Sequence, residues 1–176
     1  MMKKYGILCI IILSNLILIL CKNNYSEPLY FEISTSGCYK SCPILDAKLD
    51  NNVVYFNLIK YNKTEGIFEY KLTEKNIIKL NSLINSVLID SLKEEYSSNM
   101  PDVQEFNTKF IINGKEKNVY FLENEAPEHY QELVDFIISF KDQEIKIIDT
   151  TFNITTRYRM PINEISIPPR PKDSNK

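Results

Sequence analysis

Two cysteines, one histidine and a run of acids are the residues of this 176-residue chain whose types and spacing could do chemistry. Cys38-Tyr39-Lys40-Ser41-Cys42-Pro43 sets two thiols four positions apart, and His129 is the single histidine. In an oxidising compartment such a pair forms a structural disulfide; reduced, two thiolates and an imidazole suit copper or thiol-redox chemistry. A disulfide needs Cα atoms within about 7 Å, whereas residues four apart on a strand lie roughly 13 Å apart. Residues 38–42 must therefore turn back. Gly37 permits an unusual backbone angle at the start of the turn, and Pro43 disfavours helix at Cys42. The residues after Pro43 read as a strand, so no helix N-terminus would lower a thiol pKa there.

Two further cysteines belong to the N-terminus. Lys3 and Lys4 precede an apolar stretch from Ile7 to Leu20, which is signal-sized and short for a membrane span of roughly 20 apolar residues. Leu18-Ile19-Leu20-Cys21 resembles a bacterial lipobox, with Leu at −3 and Cys21 at the lipidation position, although Leu20 stands where a small residue is usual. Residues 1–20 are thus expected to be a signal or lipoprotein leader carrying Cys9, and Cys21 the lipidated residue. An uncleaved signal anchor is the alternative. Either way the membrane is a partner, and the chain beyond residue 20 is exported. Removing residues 1–20 takes Lys3 and Lys4 but no acid, which moves the net charge from −2 to −4. That balance argues against a nucleic-acid partner, which needs a basic face.

Other constellations are weaker. Glu123, Glu125, Glu128, His129 and Glu132 gather near one helix start, where acids complement the helix dipole on a solvated face. As a metal site they would rest on His129 and Glu132 one turn apart, with no second histidine. Asp46 and Asp102 lack a partner carboxylate for glycosidase chemistry, and no Gly-x-Ser-x-Gly elbow accompanies the histidine. Gly37, Gly66 and Gly114 are too dispersed to cradle phosphate. No catalytic residue or cofactor is assigned. Tyr30, Tyr39, Tyr55, Tyr61, Tyr70 and Tyr120 concentrate near strands, as half-buried sheet residues or an aromatic stripe for a protein or glycan partner.

Periodicity supplies the secondary structure around these residues. Residues 21–28 form a tether. Leu29, Phe31 and Ile33 alternate with polar neighbours, as do Leu45, Ala47 and Leu49; Val53–Tyr61 and Ile67–Leu72 read as strands. Thr73 caps a helix over 74–89, with Ile77, Leu80, Leu83, Ile84, Val87 and Leu88 at helical spacing beside Ile78. Phe106, Thr108, Phe110 and Ile112 mark a strand face, Asn113-Gly114 a type I′ hairpin turn, and Val119 and Phe121 the return. Pro127 opens a second helix bearing Tyr130, Leu133, Val134, Ile137 and Ile138. Glu144–Ile154 reads as a last strand, and residues 156–176, with Pro168-Pro169-Arg170-Pro171, as a Pro-rich disordered tail. The expected fold is a single α+β domain over 29–155. Its antiparallel sheet is built from two hairpin-helix units, with both helices on one face.

The segment from Phe31 to about Ser139 resembles a bacterial family known only as a domain of unknown function, numbered 6438. The family signature, Cys-aromatic-Gly-x-Cys-Pro-x-Tyr, stands here as Cys38-Tyr39-Lys40-Ser41-Cys42-Pro43-Ile44-Leu45. Lys40 replaces the glycine and Leu45 the tyrosine. The resemblance implies a short envelope protein with a leader and carries no activity. Cys-x-x-x-Cys-Pro alone is also similar to the metal motif of Sco-type copper chaperones, which implies copper ligation by Cys38, Cys42 and a distant histidine, here His129.

The expected function is a membrane-tethered, non-enzymatic binding or structural lipoprotein of the bacterial envelope, periplasm-facing or on the surface. The alternative is a thiol-redox or copper-handling protein using Cys38, Cys42 and His129.

Overall fold

The protein is described by a computed structural model over residues 29–39, 41–112 and 114–156. The leader, Cys9, Cys21, the tether, Lys40, Asn113 and residues 157–176 of the expected tail lie outside the described residues. In chain order the elements are β1 (Tyr30–Thr35), β2 (Ile44–Asp50), β3 (Val53–Lys60), β4 (Gly66–Lys71), α1 (Glu74–Ser86), a 3-10 turn (Ile89–Ser91), β5 (Glu95–Tyr96), β6 (Glu105–Ile112), β7 (Lys115–Leu122), α2 (Glu128–Ser139), a second 3-10 turn (Phe140–Asp142) and β8 (Lys146–Ile147).

Two hairpin-helix units are not what forms. The strands make one eight-stranded sheet in the order β5-β7-β6-β1-β2-β3-β4-β8. β1 to β4 are a continuous antiparallel meander, and β1 joins the two halves by pairing with β2 on one side and β6 on the other. The sheet is mixed, because β5 runs parallel to β7. Alternation along a strand reports which side chains face the core, but says nothing about which strand lies alongside. β1 is buried from Phe31 to Thr35, so its two backbone edges both need ladder partners. β6 supplies the second ladder from far along the chain, with Phe31 opposite Phe110 and Ile33 opposite Thr108.

Helix α1 starts where Thr73 accepts a hydrogen bond from the Asn76 N–H at 3.3 Å. It ends at Ser86, three residues short of the expected Ile89. Leu80, Leu83, Ile84 and Val87 are buried, whereas Ile78 and Leu88 are exposed. In α2, Tyr130, Leu133, Val134 and Ile137 are buried. Both helices join one core with Phe31, Ile33, Leu45, Ala47, Phe56, Phe110 and Phe121. These strand residues share one sheet face, and the stacked pair Phe106 and Phe121, with ring centres 4.8 Å apart, extends it toward α2.

Among the described residues no helix covers the opposite face. It presents Tyr30, Glu32 and Ser34 from β1 and Asp46 and Lys48 from β2, with Tyr55 and Asn57 from β3. The expected long last strand shrinks to β8, whose two residues pair with Phe68 and Glu69. After an Ile148 N–H to Ile67 carbonyl bond of 3.0 Å the chain leaves the ladder. It crosses the helix-free face, packing Phe152 against Tyr55 and ending its described course at Glu32. Thr150, Thr151 and Thr155 favour extended backbone, but a strand needs a free edge, and this path runs over the face instead.

Candidate functional site

The cysteine motif sits between the end of β1 and the start of β2. Thr35 donates its hydroxyl to the Pro43 carbonyl at 2.8 Å and accepts the Leu45 N–H at 3.0 Å. Gln104, just before β6, donates its side-chain amide to the carbonyls of Ser36 (3.1 Å) and Pro43 (2.7 Å). Ser36 in turn pairs its N–H with the Glu105 carbonyl and accepts the Glu105 N–H on its hydroxyl, both at 3.0 Å. The Cys38 and Cys42 sulfurs stand at disulfide distance, with Cα atoms 5.4 Å apart. The chain does turn back within the motif. A Cβ at Gly37 would sit 3.3 Å from Ile44 Cδ1, so glycine lets the loop lie against the first residue of β2.

A second loop caps this one. Asp102 adopts φ +63°, a backbone region that Asp tolerates better than most residues, and its carbonyl accepts the Tyr39 N–H at 3.3 Å. The two loops enclose a groove of about 520 Å³ lined by Cys38, Tyr39, Cys42, Asp102, Val103 and Glu123. Glu123 also borders a smaller cleft of about 160 Å³ that runs under Pro43, past Thr35 and Gln104, to Gln131 and Asp135 on α2. Gln131 closes the turn into α2 by accepting the Asn124 N–H at 3.0 Å and donating to the Ala126 carbonyl at 2.5 Å. Burial, then the Glu123 charge, pushes the Asp135 carboxyl above its ordinary value. Asp102, Glu123 and Asp135 bring three carboxyl groups to the groove and cleft, and Tyr39 stands out at the lip, 85% exposed.

The structure distributes the other sequence candidates. His129 lies exposed in the first turn of α2, and Glu132 pairs with Lys79 of α1 at 3.1 Å. Among the described residues no three His, Cys, Asp or Glu side chains converge closely enough to hold a metal ion, so His129 is not brought together with Cys38 and Cys42. Asp46 is buried on the helix-free face, accepting from the Ser34 hydroxyl at 2.8 Å and the Asn57 amide at 3.3 Å. Tyr30, Tyr55, Tyr70 and Tyr120 are half-buried, whereas Tyr39 and Tyr61 are exposed. Among the described residues no helix is long and apolar enough to cross a membrane.

Sequence reading missed Gln104, which ties the cysteine loop to β6, and Asp135, which borders the cleft. It also missed Glu32, a fully buried carboxylate that accepts the Tyr30 hydroxyl and three bonds from Thr155 and Thr156. The visible signal for Glu32 was a lone acid inside the alternating β1 segment, with no hint of what would cover it.

No curated protein matches the chain. A family model described as a domain of unknown function, DUF6438, matches residues 29–141, which run from β1 into the 3-10 turn after α2 and include the whole cysteine loop. The match spans well over half of the chain, and the protein belongs to the DUF6438 family.

Proposed function

We propose that this protein is a membrane-tethered, non-enzymatic binding protein of the bacterial envelope that meets an envelope protein through its cysteine-loop end. The observation that carries the reading is Tyr39. It projects from a loop held at its neck by Cys38 and Cys42 and braced by Thr35 and Gln104. An exposed aromatic on a braced loop offers contact area at little ordering cost when a partner docks. The acids beside it favour a partner that brings cationic groups. The tether rests on the leader and Cys21.

A photocrosslinking residue at position 39, in cells, is expected to give one discrete protein adduct that the same residue at Ile78 on α1 does not give. No adduct from position 39, or equal adducts from both, overturns the binding reading; transfer to a glycan would replace the protein partner with a glycan. For the tether, Cys21→Ala is expected to shift the protein from the membrane to the soluble fraction, and unchanged retention would favour an uncleaved anchor.

One observation favours a second reading, thiol-redox or copper chemistry: both cysteines line the groove, so their bond is reachable from solvent. Against it, Asp102 and Glu123 beside the same groove oppose thiolate formation. Stoichiometric copper uptake by the reduced protein would favour this reading over the first.

A further inference from the structure

Beyond the second 3-10 turn, whose Phe140 is buried in the core, the chain meets the sheet at β8, at Phe152 and at Glu32. β8 pairs through only two residues, Phe152 rests on Tyr55 with ring centres 5.9 Å apart, and the Glu32 carboxylate closes the far end. At that end the Thr155 N–H (2.7 Å), the Thr155 hydroxyl (2.8 Å) and the Thr156 N–H (3.2 Å) all meet Glu32 Oε2. A charged acceptor makes such bonds shorter and stronger than neutral ones. Three donors on one oxygen make a single side chain responsible for the whole end of the segment.

We propose that residues 148–156 are a releasable latch, clasped across the helix-free face by Glu32 and able to open while residues 29–141 stay folded. Four observations favour release over permanent packing. No residue from 148 to 156 is fully buried, so the segment contributes little apolar burial, and such segments open at low cost. The Thr156 hydroxyl is buried without a hydrogen-bond partner among the described residues, which penalises the closed state. The latch begins beyond the 29–141 span that defines the family domain. Finally, the lysines that flank Glu32 in register are engaged elsewhere. Lys48 lies 4.0 Å from Asp50, and Lys109 lies 3.1 Å from Glu116. Opening uncovers Tyr30, Glu32 and Tyr55 as a polar face.

Amide hydrogen exchange on the full-length protein tests the latch. The Thr155 and Thr156 amides are expected to be protected, yet to exchange faster than those of Ile33 and Ala47 in β1 and β2. In Glu32→Gln they are expected to exchange about tenfold faster or more, because a neutral amide replaces the charged acceptor, with Ile33 and Ala47 unchanged. Exchange of Thr155 and Thr156 in step with Ile33 and Ala47 would overturn the proposal, since the segment would then be part of the sheet's cooperative unit. Absence of protection in the parent protein, or no acceleration in Glu32→Gln, would overturn it equally.

Discussion

Thr155 donates both its backbone N–H and its hydroxyl to the Glu32 carboxylate, joining two residues 123 positions apart across the helix-free face of the sheet. The joint explains how a carboxylate can be fully buried at the centre of β1. Burial by itself pushes the Glu32 carboxyl up, but the bonds from Tyr30, Thr155 and Thr156 outweigh it and hold the group below its ordinary value of 4.5. The same contact, with burial as the larger cause, pushes the Tyr30 hydroxyl far up.

A pH dependence arises with a definite sign. A carboxyl whose folded pKa is lowered contributes stability above its unfolded pKa and loses it as pH falls through the folded value. The Glu32 contribution is therefore complete above about pH 5.5 and fades below about 4.5. The groups facing it are Tyr30 on its own strand, Lys48 with its partner Asp50 from β2, and Lys109 from β6 with Glu116 from β7. Melting curves between pH 7 and pH 3 should show the parent losing more stability below pH 4.5 than Glu32→Gln does; parallel losses would contradict this.

What the residues disclose about the fold divides along sequence distance. The cap at Thr73, the return of the chain between Cys38 and Cys42 and the strand faces of Phe106–Ile112 depend on neighbours within a few residues, and the residue types carry them. The pairing of β1 with β6 and the Glu32 contact with Thr155 depend on partners about 75 and 123 residues away, and nothing in the local pattern names them. The same holds at the candidate site. Its cysteines and Asp102 stand out by type, but Gln104, Glu123 and Asp135 become one groove and cleft only once β6, β7 and α2 are in place. His129 stands out by type as well, and the fold leaves it apart.

Gly66 has φ +129°, a region open to glycine and strained for other residues. A Cβ there would meet the Phe68 ring at 3.5 Å, an ordinary contact, so Gly66→Ala is a test of backbone strain alone. It is expected to cost about 1–3 kcal/mol by chemical denaturation. Gly37→Ala should cost less, because its close neighbour at 3.3 Å is the movable end of the Ile44 side chain.

Thr108 and Tyr130 share a hydrogen bond inside the core, and Thr108 also donates to the Val119 carbonyl at 2.9 Å. The two partners are not equivalent. Tyr130→Phe leaves Thr108 with its carbonyl partner and should cost about 0.5–1.5 kcal/mol. Thr108→Val strands the Tyr130 hydroxyl, on a side chain that is 1% exposed, and should cost about 1–3 kcal/mol. Equal losses in urea denaturation would mean that water reaches the stranded hydroxyl.

The Cys38–Cys42 pair closes a very short loop, for which chain entropy supplies only about 2 kcal/mol. The loop also keeps supports that do not depend on sulfur, because Thr35 and Gln104 both hold the Pro43 carbonyl and Ser36 pairs with Glu105. Cys38→Ser should therefore lower the melting temperature by roughly 5–10 °C and leave the sheet intact. Gln104 is nearly buried, and Gln104→Ala removes bonds to two carbonyls at once. Its loss should exceed that of Cys38→Ser at the loop, read as faster exchange at the Leu45 amide. In the double variant the two losses should fall short of or exceed their sum, because both residues act on one segment. Strict additivity would show that the disulfide and Gln104 stabilise separate parts of the molecule, and collapse of the sheet in Cys38→Ser alone would show that the bond holds more than its loop.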